Sequence, residues 1–386
     1  MIYLDNAAST QISDEVLQEM LPYLKENYGN PSSIHRFGRV ATKAIETARK
    51  RVADLIGAQP SEILFTSGGT ESNNTALFGI VNAKKGQVIT SSVEHDAILE
   101  PCKKLESQGC SVIYLPVDNT ATVDVEELKS VISKETLLVS IMYANNEVGT
   151  IQPIKEIAQI CKQYAVPFHT DAVQAAGKVP VNVKELGVDL MSVSSHKING
   201  PKGVGALYIR SGLKIDPYLL GGGQESGLRS GTENVANIVG FGKACQLAKE
   251  NLDRNITYLR NLRDTLVDKV TKEISHVTLN GHKENRLPNN AHFTFFGVNG
   301  EDLIIKLDEN GIAASTGSAC SVKTQKASHV LAAMGFSHEQ ITGSLRLTVG
   351  LTNTPQEIEQ TVDALKKIVS ELRAVSPFKT KYGFAN

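Results

Sequence analysis

Between about residue 40 and residue 250, short apolar runs alternate with segments of helical periodicity. In the helical segments, such as VATKAIETARKRVADLIGA and PIKEIAQICKQYA, apolar residues recur at the spacing of one helix face. The apolar runs have the length of buried strands and read EILFT, QVITS, SVIYLP, LLVSIMYA, VPFHT, DLMSVSS and GALYIR. This alternation predicts an α/β fold in which a mainly parallel sheet of the seven-stranded type is covered by helices on both faces.

A different pattern follows toward the C-terminus. A long helical stretch leads into HVTLN, NNAHFTFF, EDLIIKLDENGIAAST and GSLRLTVG, which contain fewer strand–helix units. We therefore expect a smaller α+β domain beside the large one. The length of 386 residues is consistent with two or three domains at roughly 150 residues each.

The charge balance excludes some classes of function. There are 40 basic and 41 acidic residues, and no basic run or stripe stands out, which argues against a dedicated nucleic-acid binder. Polar residues interrupt every apolar run well short of bilayer length, and the N-terminus lacks a basic region followed by an apolar stretch. We expect a cytoplasmic protein that acts on a small molecule.

Cysteine spacing gives no sign of a disulfide framework or a metal site. The cysteines are Cys102, Cys110, Cys161, Cys245 and Cys320, an odd number without CxxC spacing. The first four lie in or beside apolar or helical patterns. Cys320 lies among small and polar residues in ASTGSACSVKTQKASH, where exposure makes it a candidate nucleophile; an incidental surface thiol is the alternative.

Polar residues gather where the predicted strands end. The clusters are TSGGT at 66–70, SSVEH at 91–95, NNE at 145–147, HTD at 169–171 and SSHK at 194–197. In open α/β sheets the ligand binds beyond the carboxyl ends of the strands. Five clusters on successive strands therefore predict one shared site.

The segment FTSGGTESNNTA places a glycine pair between a strand and a helix. Its backbone amides, the helix N-terminus and the hydroxyls of Ser67 and Thr70 are suited to cradle a phosphate. A tight turn capped by Thr70 or Ser72 is the structural alternative.

Lys197 and Asp171 each follow an apolar strand, 26 positions apart. A buried amine and a buried carboxylate at neighbouring strand ends, beside a phosphate cradle, are what pyridoxal phosphate requires. The lysine forms the Schiff base, and the carboxylate keeps the ring nitrogen protonated. A structural ion pair between the two is the alternative, although it would leave the phosphate-type loop without a role.

Histidines and arginines supply further candidates. His95 is suited to stack on a flat cofactor and to move protons, whereas a satisfied strand-end histidine is the structural alternative; His169 and His196 share this ambiguity. Arg346, in SLRLTVG, is suited to clamp a substrate carboxylate or to form a surface salt bridge.

The segment GGGQESGLRSGTEN is glycine-rich and carries possible anion ligands in Arg229, Ser230 and Thr232. Its glycines would allow a close approach of the backbone to a ligand. A flexible turn is the alternative.

In order and across nearly the whole chain, nine motifs resemble the cysteine desulfurases of the NifS/IscS type. They are YLDNAAST, YGNPSSIHRFG, FTSGGTESNN, VEHDA, NNEVGTIQPI, HTDAVQAAGK, SSHKINGPKGVG, GGGQESGLRSGTEN and STGSACS. The resemblance implies the fold of type I pyridoxal-phosphate enzymes and a homodimer with its sites at the subunit interface. The domain boundaries we expect are 15–258 for the large domain, and 1–14 with 259–386 for the small domain that carries the cysteine loop.

The resemblance also implies a role for each matching residue. Lys197 resembles the Schiff-base lysine, Asp171 the partner of the ring nitrogen and His95 the stacking acid/base. Cys320 resembles the persulfide-forming cysteine, Arg346 the carboxylate-binding arginine, and Asn146 a second residue that contacts the substrate. The remaining cofactor ligands that it implies are Asn146 and Gln174 at the ring hydroxyl, Gly69, Thr70, Ser194 and His196 at the phosphate, and Thr232 from the partner subunit.

The reaction implied is removal of sulfur from L-cysteine, giving L-alanine and a persulfide on Cys320. Delivery to an iron–sulfur scaffold or to a tRNA-thiolation protein is the expected next step. Leu351, where the family usually has arginine, and the polar loop after Cys320 depart from the family pattern and bear on the choice of acceptor. A selenocysteine lyase and a non-catalytic sulfur-assembly scaffold are the alternative functions.

Overall fold

The computed structural model describes residues 1–82, 84–317 and 327–384. Its strands are β1 (Ile2–Tyr3), β2 (Ile63–Thr66), β3 (Gln87–Ser91), β4 (Ser111–Leu115), β5 (Thr136–Ser140), β6 (Phe168–Asp171), β7 (Leu190–Ser194), β8 (Gly205–Ile209), β9 (Val277–Asn280), β10 (Asn290–Phe295), β11 (Ile312–Ala313) and β12 (Ser344–Thr348). Its helices are α1 (Asp14–Lys25), α2 (Arg36–Ile56), α3 (Gly69–Val81), α4 (Asp96–Ser107), α5 (Val125–Val131), α6 (Ile154–Gln163), α7 (Val183–Leu186), α8 (Val235–Glu250), α9 (Leu252–Glu273), α10 (Gly300–Glu309), α11 (His329–Ala333), α12 (His338–Thr342), α13 (Pro355–Ala374) and α14 (Lys379–Tyr382).

A seven-stranded sheet forms the centre of the larger part, in the order β2-β8-β7-β6-β5-β3-β4. Strands β3 to β7 pair in parallel. Strand β8 is antiparallel to both of its neighbours, β2 and β7. Because these two reversals cancel, β2 runs in the same direction as β7, and its carboxyl end lies at the same edge of the sheet. The predicted mainly parallel, seven-stranded fold is confirmed.

Both faces of this sheet are buried, which explains why its strands read as continuous apolar runs. Successive residues of one strand point to opposite faces. In β3, Val88 packs with residues of α3 and α4, whereas Ile89 packs in the larger cluster that includes α2, α6 and α8. In β5, Leu138 packs in the cluster with α3 and α4, and Val139 packs in the larger cluster.

The C-terminal part has the α+β character expected for it. Strands β9, β10 and β12 form an antiparallel sheet, and β1 pairs with β11 in parallel. Helices α9, α10 and α13 pack with this sheet in a separate apolar cluster, which also contains Leu4. The N-terminal strand therefore belongs with the C-terminal elements.

Local signals at the helix ends match the sequence. Helix α13 begins with a capping box: Thr354 Oγ1 accepts from the backbone N–H of Glu357, and the Glu357 carboxylate accepts from the backbone N–H of Thr354. Pro355 occupies the first helical position, where no N–H is needed.

Among the helices in the described ranges, none combines the length and the apolar composition needed to cross a bilayer.

Candidate active site

The carboxyl ends of the central strands enclose a cavity of about 270 Å³. Strands β6 and β7 are neighbours, and the reversed β8 brings the end of β2 to the same edge. Sequence-predicted residues that line the cavity are Gly69, Thr70, His95, Asn146, Asp171, Gln174, Ser194, His196 and Lys197. The structure thus gathers side chains from each of the five polar clusters into or around one site.

Asp171 is buried at the end of β6, and both of its carboxylate oxygens accept hydrogen bonds. Asn73 Nδ2 donates to Oδ2 at 2.7 Å, and the backbone N–H of Val173 donates to Oδ1 at 2.9 Å. These donors fix the carboxylate and leave each oxygen a further lone pair for a ligand. Sequence reasoning missed Asn73. Its signal is its position one helical turn beyond Gly69 on α3, which places both residues at the cavity.

His95 caps the start of α4 with its own ring. Its Nδ1 accepts a hydrogen bond from the backbone N–H of Ala97 at 3.0 Å. The neutral ring therefore carries its proton on Nε2. Burial lowers the pKa of His95, and the opposing effect of Asp171 does not offset it. The side chain is accordingly a neutral imidazole near pH 7, able to give a proton from Nε2.

Lys197, in the turn after β7, reaches the N-terminal segment. Its Nζ donates to the carbonyl oxygens of Ala7 at 2.6 Å and Ala8 at 2.9 Å. That segment is itself fixed to the lysine turn, because the backbone N–H of Thr10 donates to the His196 carbonyl and Thr10 Oγ1 accepts from the backbone N–H of Asn199. Residues 7–8 thus hold the amine at the cavity wall.

The start of α3 forms the anion-binding end of the site. Gly68 precedes the helix without a side-chain cap, and Ser72 Oγ is hydrogen-bonded to Thr66 Oγ1 instead. The first amides of a helix have no partners within it, so they face outward for an anion. A second cavity of about 360 Å³ adjoins here and shares Gly69, Thr70 and Ser194 with the first. A Cβ at Gly69 would lie 2.8 Å from Val173 Cγ2, so an alanine here would force Val173 or the helix start to shift.

His196 lines both cavities as a neutral ring. Burial lowers its pKa to about 4, and the neighbouring Lys197 ammonium acts in the same direction. Its Nδ1 lies 3.3 Å from Ser9 Oγ. His196 can therefore donate one hydrogen bond to an anion without adding a charge.

Gln174 and Asn146 provide amide groups at the cavity. Gln174 Nε2 donates to the Ala7 carbonyl at 2.9 Å, and its Oε1 accepts from Lys178 Nζ at 3.2 Å. Lys178 is buried, and desolvation lowers its pKa to about 7. Sequence reasoning passed over Lys178, which orients the Gln174 amide.

Arg346 does not line the cavity, but it contacts the backbone of Asn146, which does. The guanidinium is buried in β12 and donates from Nη1 to the carbonyl oxygens of Asn146 at 3.0 Å and Gly317 at 3.1 Å. Its Nη2 donates to Asp5 Oδ1 at 2.7 Å. The salt bridge considered for Arg346 is therefore present, but it is buried rather than at the surface.

Two other predicted residues are not gathered at the cavity. Thr232 is exposed in the segment that leads into α8 and lines neither cavity. Cys320 lies outside the described residues, which stop at Gly317 and resume at residue 327. At the far end of this gap, Ser328 Oγ donates to the buried Glu147 carboxylate at 2.5 Å.

Two buried groups near the site do not line either cavity. His169 lies between Ser140 Oγ and Ser192 Oγ, and burial lowers its pKa to about 3, as for a satisfied core histidine. Glu94 precedes His95, and burial raises its pKa to about 8. Sequence reasoning did not single out Glu94.

The chemical groups around the cavity fit pyridoxal phosphate. A phosphate suits the amides at the start of α3, and an aldehyde requires an amine such as Lys197. The groups suited to the ring are the Asp171 carboxylate for its nitrogen, the His95 imidazole for its face, and the amides of Asn146 and Gln174 for its hydroxyl.

Comparisons with known proteins identify the family of this chain. The class-V aminotransferase family model matches residues 2–361. The cysteine desulfurase IscS of Dictyoglomus turgidum is 52% identical over 384 residues, which cover 99% of this chain and 98% of that protein. The cysteine desulfurase IscS of Methanosarcina thermophila is 51% identical over 383 residues, which cover 98% of this chain and 95% of that protein.

Solved structures give the same result. A NifS-like protein superimposes with a TM-score of 0.90 at 40% identity, covering 96% of this chain and 99% of that one. SspA, solved in complex with cysteine, superimposes with a TM-score of 0.82 at 36% identity, covering 90% and 99%. The chain therefore belongs to the class-V aminotransferase family and, within it, to the cysteine desulfurases.

Proposed function

We propose that the protein is a pyridoxal-phosphate-dependent cysteine desulfurase that converts L-cysteine to L-alanine and leaves the sulfur as a persulfide on Cys320. The observation that carries the proposal is the joint placement of Lys197, Asp171 and His95 around one cavity whose other end is the start of α3. An ion pair, a turn and a strand-end histidine would each explain one of these features alone. A single cofactor site explains all of them.

When bound, pyridoxal phosphate supplies an electron sink for the bonds next to the substrate's amino group. Asp171 would hold the ring nitrogen, and the start of α3 with Ser194 and His196 would hold the phosphate. Gln174 and Asn146 would orient the ring hydroxyl. Each of these groups already lines one of the two adjoining cavities.

Lys197 is the group we propose for taking the proton from the substrate Cα and for returning a proton to Cα as alanine forms. Its Nζ reaches the carbonyl oxygens of Ala7 and Ala8, which accept hydrogen bonds from the ammonium once the proton has been taken. The hydrogen bonds to Ala7 and Ala8 thus fix the position of the protonated Lys197 amine. His95 can supply a proton from Nε2, because its Nδ1 is occupied by the Ala97 amide.

Cys320 takes the sulfur in this proposal. Its thiolate attacks the substrate sulfur, an S–S bond forms, and the C–S bond breaks. The carbon that loses sulfur gains a proton and becomes the methyl group of alanine, so the carbon is reduced while the two sulfurs are oxidised to the persulfide. No external oxidant or reductant is needed.

We further propose a homodimer in which Thr232 completes the phosphate site of the other subunit, since Thr232 is exposed and does not line the cavities of its own subunit. The acceptor of the sulfur is an iron–sulfur scaffold or a tRNA-thiolation protein in this proposal. A cytoplasmic location suits the chemistry, because Cys320 must be reduced and the described cysteines, Cys102, Cys110, Cys161 and Cys245, are all unpaired.

The test is a single incubation of the purified protein, loaded with pyridoxal phosphate, with L-cysteine. We expect L-alanine and, after alkylation and peptide mapping, one extra sulfur on Cys320. Cys320→Ser should form neither product, because a serine hydroxyl is a poor acceptor for sulfur. Cys110→Ser is the matched control and should form both. Alanine production by Cys320→Ser at the wild-type rate, or a persulfide on another cysteine, would reject the proposal.

A further inference from the structure

Asp5 forms an ion pair with Arg346, the arginine that is expected to bind the substrate carboxylate. Its Oδ1 accepts a hydrogen bond from Arg346 Nη2 at 2.7 Å. The Arg346 side chain is only 3% exposed, whereas that of Asp5 is 18% exposed. Solvent therefore reaches this ion pair from the side of Asp5.

The ion pair between Asp5 and Arg346 is incomplete. Arg346 Nε is buried and has no hydrogen-bond partner among the described residues. A guanidinium binds a carboxylate best through two parallel N–H donors, and the contact with Asp5 uses one of them. A buried donor without a partner is costly, so the arginine retains capacity for a carboxylate that takes Nε as well.

Asp5 also begins the segment that holds Lys197. The carbonyl oxygens of Ala7 and Ala8 accept from Lys197 Nζ, and the backbone N–H of Ala7 donates to Thr348 Oγ1. Thr348 lies two residues beyond Arg346 on β12. Residues 5–8 are thus bound at one end to the arginine and at the other to the lysine.

We propose that Asp5 holds the place of the substrate's α-carboxylate on Arg346 and is displaced when substrate binds. This inference rests on the proposed function. One carboxylate replaces another, so the buried guanidinium keeps a counter-ion throughout. Displacement of Asp5 loosens residues 5–8, including the carbonyls of Ala7 and Ala8, so carboxylate recognition is coupled to the order of this segment.

The test measures binding of L-alanine, which carries the α-carboxylate but has no sulfur to lose. Isothermal titration of the pyridoxal-phosphate-loaded protein compares wild type with Asp5→Asn, which keeps the side-chain shape and removes the competing charge. We expect the dissociation constant to fall about tenfold, equivalent to about 1.4 kcal/mol. Asp14→Asn, which neutralises an exposed acid nearby, should leave it unchanged. In an Arg346→Ala background, Asp5→Asn should give no gain.

An unchanged or weaker affinity in Asp5→Asn would overturn the inference. Hydrogen exchange of the wild-type protein tests it without any variant: saturating L-alanine should increase amide exchange in residues 2–13, and unchanged exchange would also overturn it. Alanine formation from L-cysteine is measured in parallel. Its absence in wild type rejects the proposed function, whereas normal turnover with an unchanged dissociation constant in Asp5→Asn rejects the role of Asp5 alone.

Discussion

At the scale of single residues, Asp171 and its partner Asn73 should differ in how much they affect the cofactor. Asp171→Ala removes the acceptor for the ring nitrogen, and we expect turnover to fall by at least about a hundredfold. Asn73→Ala removes one hydrogen bond to that carboxylate, worth about 1.5–3 kcal/mol, and should weaken cofactor binding more mildly. Equilibrium dialysis of pyridoxal phosphate and alanine assays measure both. Near-normal turnover in Asp171→Ala would make Asp171 a structural residue.

The buried His169 should contribute to the pH dependence of the free energy of unfolding. Burial lowers the pKa of His169 in the folded protein to about 3, whereas the pKa of a histidine in the unfolded chain is about 6.5. Between these values the unfolded chain binds a proton that the folded chain excludes, so the free energy of unfolding falls as the pH falls through this window.

His169→Asn removes this titration. We expect wild type to lose about 2 kcal/mol more than the variant between pH 7 and pH 5, measured by urea unfolding at each pH. His338→Asn, at an exposed position, should keep the wild-type dependence. Equal losses in wild type and His169→Asn would contradict this account.

At the scale of elements, the close packing of Gly69 against Val173 allows a test of whether the start of α3 binds the phosphate. Gly69→Ala places a Cβ 2.8 Å from Val173 Cγ2, so the helix start must shift. We expect the affinity for pyridoxal phosphate to fall about tenfold, the cost of about 1.4 kcal/mol, within the range typical of overpacking. Val173→Ala added to Gly69→Ala should restore most of it. Equal affinity in wild type and Gly69→Ala would show that the phosphate does not depend on this turn.

The elements also show what the sequence could and could not predict. Strand ends are local features, and the carboxyl ends of parallel strands share an edge, so the cavity that joins Asp171 with Lys197 was predictable. The direction of β8 was not, because GALYIR has the same apolar pattern as the parallel strands around it. The carbonyls of Ala7 and Ala8 could not be predicted either, since every residue carries a backbone carbonyl. For Arg346 the residue type was informative, but its burial against Asp5 depends on long-range packing.

At the scale of the whole molecule, the N-terminal segment connects the apolar cluster of the C-terminal part with the large sheet. Leu4 packs with the C-terminal elements, whereas Lys197 of the large sheet reaches Ala7 and Ala8. We propose the domain division 15–258 and 1–14 with 259–386 on this basis, with residues 5–10 as the connection that lies across the site. A substitution in this segment should therefore change both the affinity for substrate and the position of the Lys197 amine.

The proposed dimer makes a prediction about mixed subunits. If Thr232 serves the partner's site, a heterodimer of Lys197→Ala with Thr232→Ala contains one site with both changes and one with neither. We expect it to bind up to half the cofactor of wild type with wild-type affinity, although each parent homodimer is defective. Tagged copurification and equilibrium dialysis measure this. A heterodimer whose only binding site has the weakened affinity of Thr232→Ala would mean that each subunit completes its own site.

The most direct test of the central claim locates the covalent bond to the cofactor. The purified protein is incubated with pyridoxal phosphate, reduced with borohydride and digested, and the labelled peptide is identified by mass spectrometry. The account predicts one label per chain on Lys197, and none at that position in Lys197→Ala. A label on another lysine, such as the neighbouring Lys202, or an unlabelled wild-type chain would contradict it.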